Sequence, residues 1–273
     1  MTGSSALSSG LPAGTDLGRP APVELPRSRA SRGAELVRLR LPDRPGSLAA
    51  VTAHLAAHDV DVLGLEVVDR SEDAAVDDLL LSGARLDAAL ASLGSKAMVL
   101  GRRAGIDLRD PALAMASACE VVSSAPNAPE AHREILRAAL GLVFAEAGAL
   151  CVRREGGLLA VLASTVAAMP AAFESRSASL IESALSSGEC LTADGRIPWA
   201  PPGLRECLPA GSVAVVPAGQ LALALVREDH APYVHVELDR LAALMRVAAA
   251  TLSLHEATLV RSRIRLVPGA RTP

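Results

Sequence analysis

Aromatic residues are nearly missing from this chain: one Trp, one Tyr and two Phe stand among 273 residues. Half of the residues are hydrophobic all the same, so a core can form, and it must be built from Leu, Val and Ala. A basic excess is missing too. The formal charge of −3 argues against an electrostatic grip on nucleic acid, which needs a basic surface. Arginines do gather near the ends (Arg27, Arg29 and Arg32; Arg261, Arg263 and Arg265), in runs short enough to serve only as solvated tails. Cysteine is sparse: Cys119, Cys151, Cys190 and Cys207 are widely spaced and include no C-x-x-C pair. Neither a disulfide framework nor a zinc ribbon is indicated, and a reducing cytoplasm is the expected compartment.

Membrane and secretory segments are not expected either. Residues 1–14 have no basic start and no sustained apolar run, so they do not form a secretory signal. The uncharged stretches 156–173 and 207–226 are interrupted by Gly and Pro, whereas a spanning helix needs about 20 predominantly apolar residues. Both read as buried strands joined by turns. The chain has no G-x-x-x-x-G-K, no G-x-S-x-G, no dinucleotide fingerprint and no basic helix-turn-helix. A non-enzymatic role with no cofactor is expected. His54 and His58 lie four apart, but a metal site needs a third ligand and outer support. They read as a solvated helix face, with no metal.

What is present is organisation. Residues 1–33 are rich in Gly, Ser, Pro and Arg, without a hydrophobic period, and are expected to form a disordered tail. Val37, Leu39 and Leu41 then alternate with Leu36, Arg38 and Arg40, the period of a half-buried strand. Pro45 suits a helix start, and Leu48, Val51, Thr52 and Leu55 fall on one helical face. Strands are predicted over 60–68, 74–82 and 98–102, with a second helix through Leu86, Ala89, Leu90 and Leu93 closed by Gly94. The order β-α-β-β-α-β is the split βαβ arrangement, a ferredoxin-like α+β unit over 34–103.

Asp110-Pro111 reads as a cap and first helical position, opening a connecting helix to about Val122 within a linker, 104–129. The second unit, 130–257, starts with a helix predicted over 130–147. Strands over 149–154 and 158–164 flank Glu155-Gly156-Gly157, and a helix over 177–187 ends at Gly188. A hairpin pairs 212–216 with 221–227, and a closing helix runs from about 236 to 256. That order suggests an antiparallel sheet covered by helices, followed by a tail, 258–273.

The segment Asp43-Arg44-Pro45-Gly46-Ser47 carries the chemistry. Gly46 lets a ligand approach the backbone, and the free N–H groups of a helix start favour a carboxylate. Asp43 and Asp61 are candidates for holding an ammonium group. One such pair at about 4 Å gives on the order of 4 kcal/mol before desolvation. An amino acid presents both charges. The alternative for Asp43 is a helix cap, and for Asp61 a solvated strand end.

On these residues, 34–103 resembles an ACT domain, a small amino-acid-binding regulatory module. The likeness lies in Asp43-Arg44-Pro45-Gly46-Ser47-Leu48 at the first strand–helix turn and in Val60-Asp61-Val62 at the start of the second strand. It implies a ligand site made by Asp43, Arg44, Gly46, Ser47 and Asp61. It also implies side-by-side pairing into a homodimer, in which Asp61 often comes from the neighbouring copy. Leu41 departs from members that carry a polar contact there, and modules of this kind also serve as dimerisation scaffolds without a ligand. More weakly, and through element order alone, 130–257 resembles a GAF domain, a sensor fold with a covered pocket. Residues 189–211 are the expected cover, since long loops are usually functional. Arg196 and Trp199 there are candidates for a second pocket, with the alternative that Trp199 plugs the sheet. Cys190 and Cys207 frame this stretch, so a thiol-dependent methionine sulfoxide reductase of the GAF type stays open beside the expected regulatory protein. The output of the regulatory reading would pass to a protein partner.

Overall fold

The alternation around Val37 produces β1 (Ala34–Pro42), whose Val37, Leu39 and Leu41 are almost fully buried. The computed structural model describes residues 33–71, 73–104, 111–194, 211–228 and 232–265. After β1, Gly46 takes a left-handed φ of 90° and opens α1 (Ser47–Ala56), which buries Val51 and Leu55. Next come β2 (Asp61–Arg70), β3 (Ala74–Ser82), α2 (Leu86–Ala91) and β4 (Met98–Ala104). The β-α-β-β-α-β order is therefore present, and the antiparallel sheet runs β2-β3-β1-β4. Its Val37, Leu39, Ala75, Leu79 and Leu81 pack with α1 and α2 residues Val51, Leu55, Leu86 and Ala89 in one apolar cluster.

β1 is not half-buried as its alternation predicts. Leu36 and Arg38, on the face away from α1, are 5% and 6% exposed, because a second body of the chain covers that face.

That second body contains α3 (Pro111–Ser123), α4 (Ala128–Val143), β5 (Ala147–Arg154), β6 (Leu158–Ser164), β7 (Ala172–Glu174), α5 (Ser179–Ser187), β8 (Leu191–Asp194), β9 (Ser212–Ala218), β10 (Leu221–Arg227) and α6 (His235–Arg265). Its six strands form an antiparallel sheet in the order β7-β6-β5-β10-β9-β8. One face meets α3, α4 and α6 through Val122, Ile135, Leu136, Leu223, Leu241 and Met245. The other meets α5 through Cys151, Val161, Val215, Ile181 and Ala184. With so few aromatics, Leu, Val and Ala fill most of both layers.

Several boundaries differ from expectation. α4 stops at Val143 because Phe144 turns left-handed (φ 52°), and residues 147–148 open β5. The short edge strands β7 and β8 carry no alternation long enough to signal them. α3 is more than a connector: Ala118 and Val122 sit in the second body's core. α6 continues past residue 256 to Arg265. Among the described residues, no helix is long and apolar enough to cross a membrane.

Candidate functional site

The β1–α1 turn is tied down by main-chain bonds. Asp43 N donates to Asp73 O at 3.1 Å, Arg44 N to Pro42 O at 3.0 Å, and Ser47 N to Arg44 O at 3.2 Å. The cap of α1 is Gly46, and no side chain accepts from the helix start. The Leu48 and Ala49 amides therefore lack a side-chain acceptor, which is the condition for taking a carboxylate. The capping role for Asp43 is overturned: its carboxylate instead receives Arg70 Nη2 at 2.6 Å and Nε at 3.1 Å. That bond holds the Asp43 carboxyl below its ordinary value. The Arg44 side chain is exposed, as is Gly46, and Ser47 is half-buried.

Asp61 lies elsewhere. It opens β2 opposite Ser82, which itself pairs with Ala34 at the start of β1, whereas Asp43 follows Pro42 at the other end. The length of β1 thus separates the two carboxylates by roughly 27 Å at ~3.3 Å per residue. One chain does not bring Asp43 and Asp61 together. The reason is topological: α1 runs back along the sheet, so β2 starts at the end where β1 starts, opposite the β1–α1 turn.

Of the second predicted pocket, Arg196 and Trp199 lie outside the described residues, as do Cys207 and most of the expected cover. Cys190 is half-buried, and burial followed by the Asp239 charge pushes its thiol above the ordinary value. Cys151 is fully buried, and its thiol is pushed up to about 12. His54 Nε2 and His58 Nε2 both approach Ser92 Oγ, at 3.1 and 3.3 Å, while His58 Nδ1 lies 2.9 Å from the His54 carbonyl. These histidines are held by the α1–α2 contact rather than simply solvated. No group of three or more metal-ligating side chains occurs among the described residues.

A feature that sequence reading missed joins the two bodies. Arg38 on β1 grips Asp78 on β3 through Nε and Nη2, both at 2.7 Å, and also reaches Glu237 on α6 at 2.9 and 3.1 Å. Arg227 on β10 meets the same Glu237 at 2.6 and 3.3 Å and stacks over the Tyr233 ring at 4.2 Å. Val234 N also donates to Glu237 at 3.0 Å. Burial would push the Glu237 carboxyl up, but the Arg227 and Arg38 guanidiniums outweigh it and hold the carboxyl at about 2. A small cavity beside this cluster is lined by Leu36, Arg38, Asp78, Gly101, Arg103, Phe144 and Arg227. Arg103–Glu146 at 3.3 Å and Arg240–Glu66 at 2.8 Å flank the cluster. The available signal was charge in apolar context: Arg38 inside an alternating strand and Asp77-Asp78 inside Ala-Ala-Val-Asp-Asp-Leu-Leu-Leu.

No protein-family model matches the chain, and no curated protein matches it. Among solved structures, the GAF domain of a phosphoenolpyruvate-protein phosphotransferase from Coxiella burnetii is 15% identical. That alignment covers 55% of this chain and 96% of that one, at a TM-score of 0.47. The GAF domain of the Acinetobacter phosphoenolpyruvate-protein phosphotransferase is 10% identical over 55% of this chain and 97% of its own, at a TM-score of 0.45. The bacteriophytochrome RpBphP3 of R. palustris is similar at 10% identity over 91% of this chain and 63% of that one, at a TM-score of 0.46.

Proposed function

We propose that this chain is a non-catalytic regulatory protein, an ACT-like, ferredoxin-like module joined to a GAF-like sensor module, which binds an amino acid at the β1–α1 turn. The observation that carries this reading is the uncapped start of α1 beside Gly46 and Asp43. The helix amides would take the ligand carboxylate, and Asp43 lies within the same turn to meet its amine. Asp61, at the far end of its own sheet, would come from a second copy.

The pairing surface for that copy is β2. It is an edge strand, and Val62, Leu63, Leu65 and Val67 are 38–52% exposed along it. An exposed apolar edge is a template for another strand, and two such edges set antiparallel would bring unlike ends of two sheets together. Occupancy would act by favouring one arrangement of the pair over another, with a protein partner as receiver. Calorimetry of the full chain against the common amino acids is the test: a binding heat should appear and should vanish in both Asp43→Ala and Asp61→Ala. A heat that survives Asp61→Ala would remove the shared site.

The exposed β2 edge equally favours a scaffold that pairs without a ligand, in which case no amino acid gives a heat and the dimer persists on dilution. Against the thiol-reductase reading stands the raised Cys190 thiol, since burial and a nearby carboxylate leave less of the nucleophilic thiolate.

A further inference from the structure

β3 carries two consecutive aspartates with opposite fates. Asp78 faces the second body and is met by Arg38 through two bonds of 2.7 Å. Asp77 points to the α1 side, is 2% exposed, and its Oδ1 has no hydrogen-bond partner among the described residues. A buried carboxylate oxygen left unmatched is costly and calls for a reason.

The strand register says what lies around it. Asp77 stands between Leu39 of β1 and Val67 of β2. Two residues earlier on the same face, Ala75 stands between Leu41 and Arg70. Arg70 is therefore the diagonal neighbour of Asp77, within reach of a long side chain. Asp43 lies two residues beyond Leu41 and holds the Arg70 guanidinium in two bonds. Asp43, Arg70 and Asp77 thus share the end of the sheet where α1 begins. Arg70 binds Asp43 directly and acts by its charge on Asp77, whose Oδ1 is buried.

Resting on the reading of this turn as an amino-acid site, we infer that Asp43 and Asp77 form its ammonium subsite, and that Arg70 occupies the subsite until a ligand displaces it. The exchange swaps one cation for another at the two aspartates, while the ligand's own carboxylate goes to the start of α1. The Arg70 side chain is 67% exposed, so its guanidinium can return to water readily. A compact ammonium can approach Asp77, and its carboxylate can meet the Leu48 and Ala49 amides. The ligand class this selects is an α-amino acid with a free amine. Burial and the Asp78 charge push the Asp77 carboxyl upward, and the Arg70 charge offsets part of this, as expected of a group that gains from an arriving cation.

The test titrates the full chain with each of the twenty proteinogenic amino acids, then repeats the strongest binder on two variants. Asp77→Asn keeps the shape of the side chain and is expected to weaken binding about tenfold or more. Arg70→Gln removes the resident competitor at an exposed position and is expected to tighten binding about threefold or more. An Asp77→Asn affinity within about twofold of the parent, or a weakened Arg70→Gln, overturns the inference while leaving the turn as an amino-acid site. A parent chain that takes up none of the twenty overturns that site and this inference together.

Discussion

Arg38 and Glu237, 199 residues apart, face each other with two hydrogen bonds of 2.9 and 3.1 Å, and neither side chain is more than 7% exposed. The pair fixes the first sheet to the head of α6. Removing one member of a buried ion pair costs about 3–5 kcal/mol, because the other charge is left without compensation. Glu237→Gln is therefore expected to lower the urea unfolding free energy by about 3 kcal/mol. Equilibrium denaturation measures it, and a change below about 1 kcal/mol would mean that Arg227 and Arg38 find other acceptors.

Acid should weaken the fold in two stages. His132 has its pKa lowered to about 4 by burial first, then by the charges of His255, Arg154 and Arg133. It is held neutral in the fold and charges more readily when unfolded, so its contribution is present above the ordinary value of 6.5 and is lost as pH falls from there to about 4. Glu237 is held at about 2, so its contribution is present above 4.5 and is lost between there and about 2. Each step is worth up to about 3 kcal/mol at 1.36 kcal/mol per unit. Thermal unfolding scans from pH 8 to about pH 2 should show both, and His132→Gln should erase the upper one alone.

The β2 edge gives a prediction about assembly. Leu65 and Val67 are 42% and 49% exposed on a strand with one neighbour. If a second copy covers them, Leu65→Lys with Val67→Lys should weaken dimerisation by about 100-fold or more, since charges on an edge oppose strand pairing. Sedimentation velocity across a dilution series reads this directly. A double variant that assembles like the parent places the contact elsewhere.

Gly148 tests the packing of the second sheet. A Cβ there would sit 2.7 Å from Ala224 O and 2.8 Å from Leu225 Cδ2. The first neighbour is main chain of the adjacent strand and cannot turn aside. Gly148→Ala should therefore cost about 1–3 kcal/mol, the usual size of overpacking, whereas Gly141→Ala, with open space around its Cβ, should be neutral or stabilising. Circular dichroism melts of the two variants separate these outcomes.

Much of this architecture was legible in the residues. The period of two at Val37, Leu39 and Leu41 and the helical face at Leu48, Val51 and Leu55 gave the first unit, because local burial decides both patterns. The hairpin at 212–227 was legible for the same reason, helped by the left-handed Gly219 in its turn. What escaped was whatever depends on distant chain. Nothing near Arg38 announces that Glu237 will meet it, and nothing near Asp61 announces that it lies a strand's length from Asp43. Phe144, a non-glycine residue in a left-handed turn, ends α4 against its own preference, so the boundary could not be found from helix-stop residues.

The 31 residues of α6 make a rod of about 46 Å at 1.5 Å per residue. Its head is clamped to the first sheet by Arg38 and to the second by Arg227, and its shaft lies along the second. A tilt of about 5° at the clamp would swing the far tip by about 4 Å over that length, so a change too small to disturb either core is magnified by leverage alone.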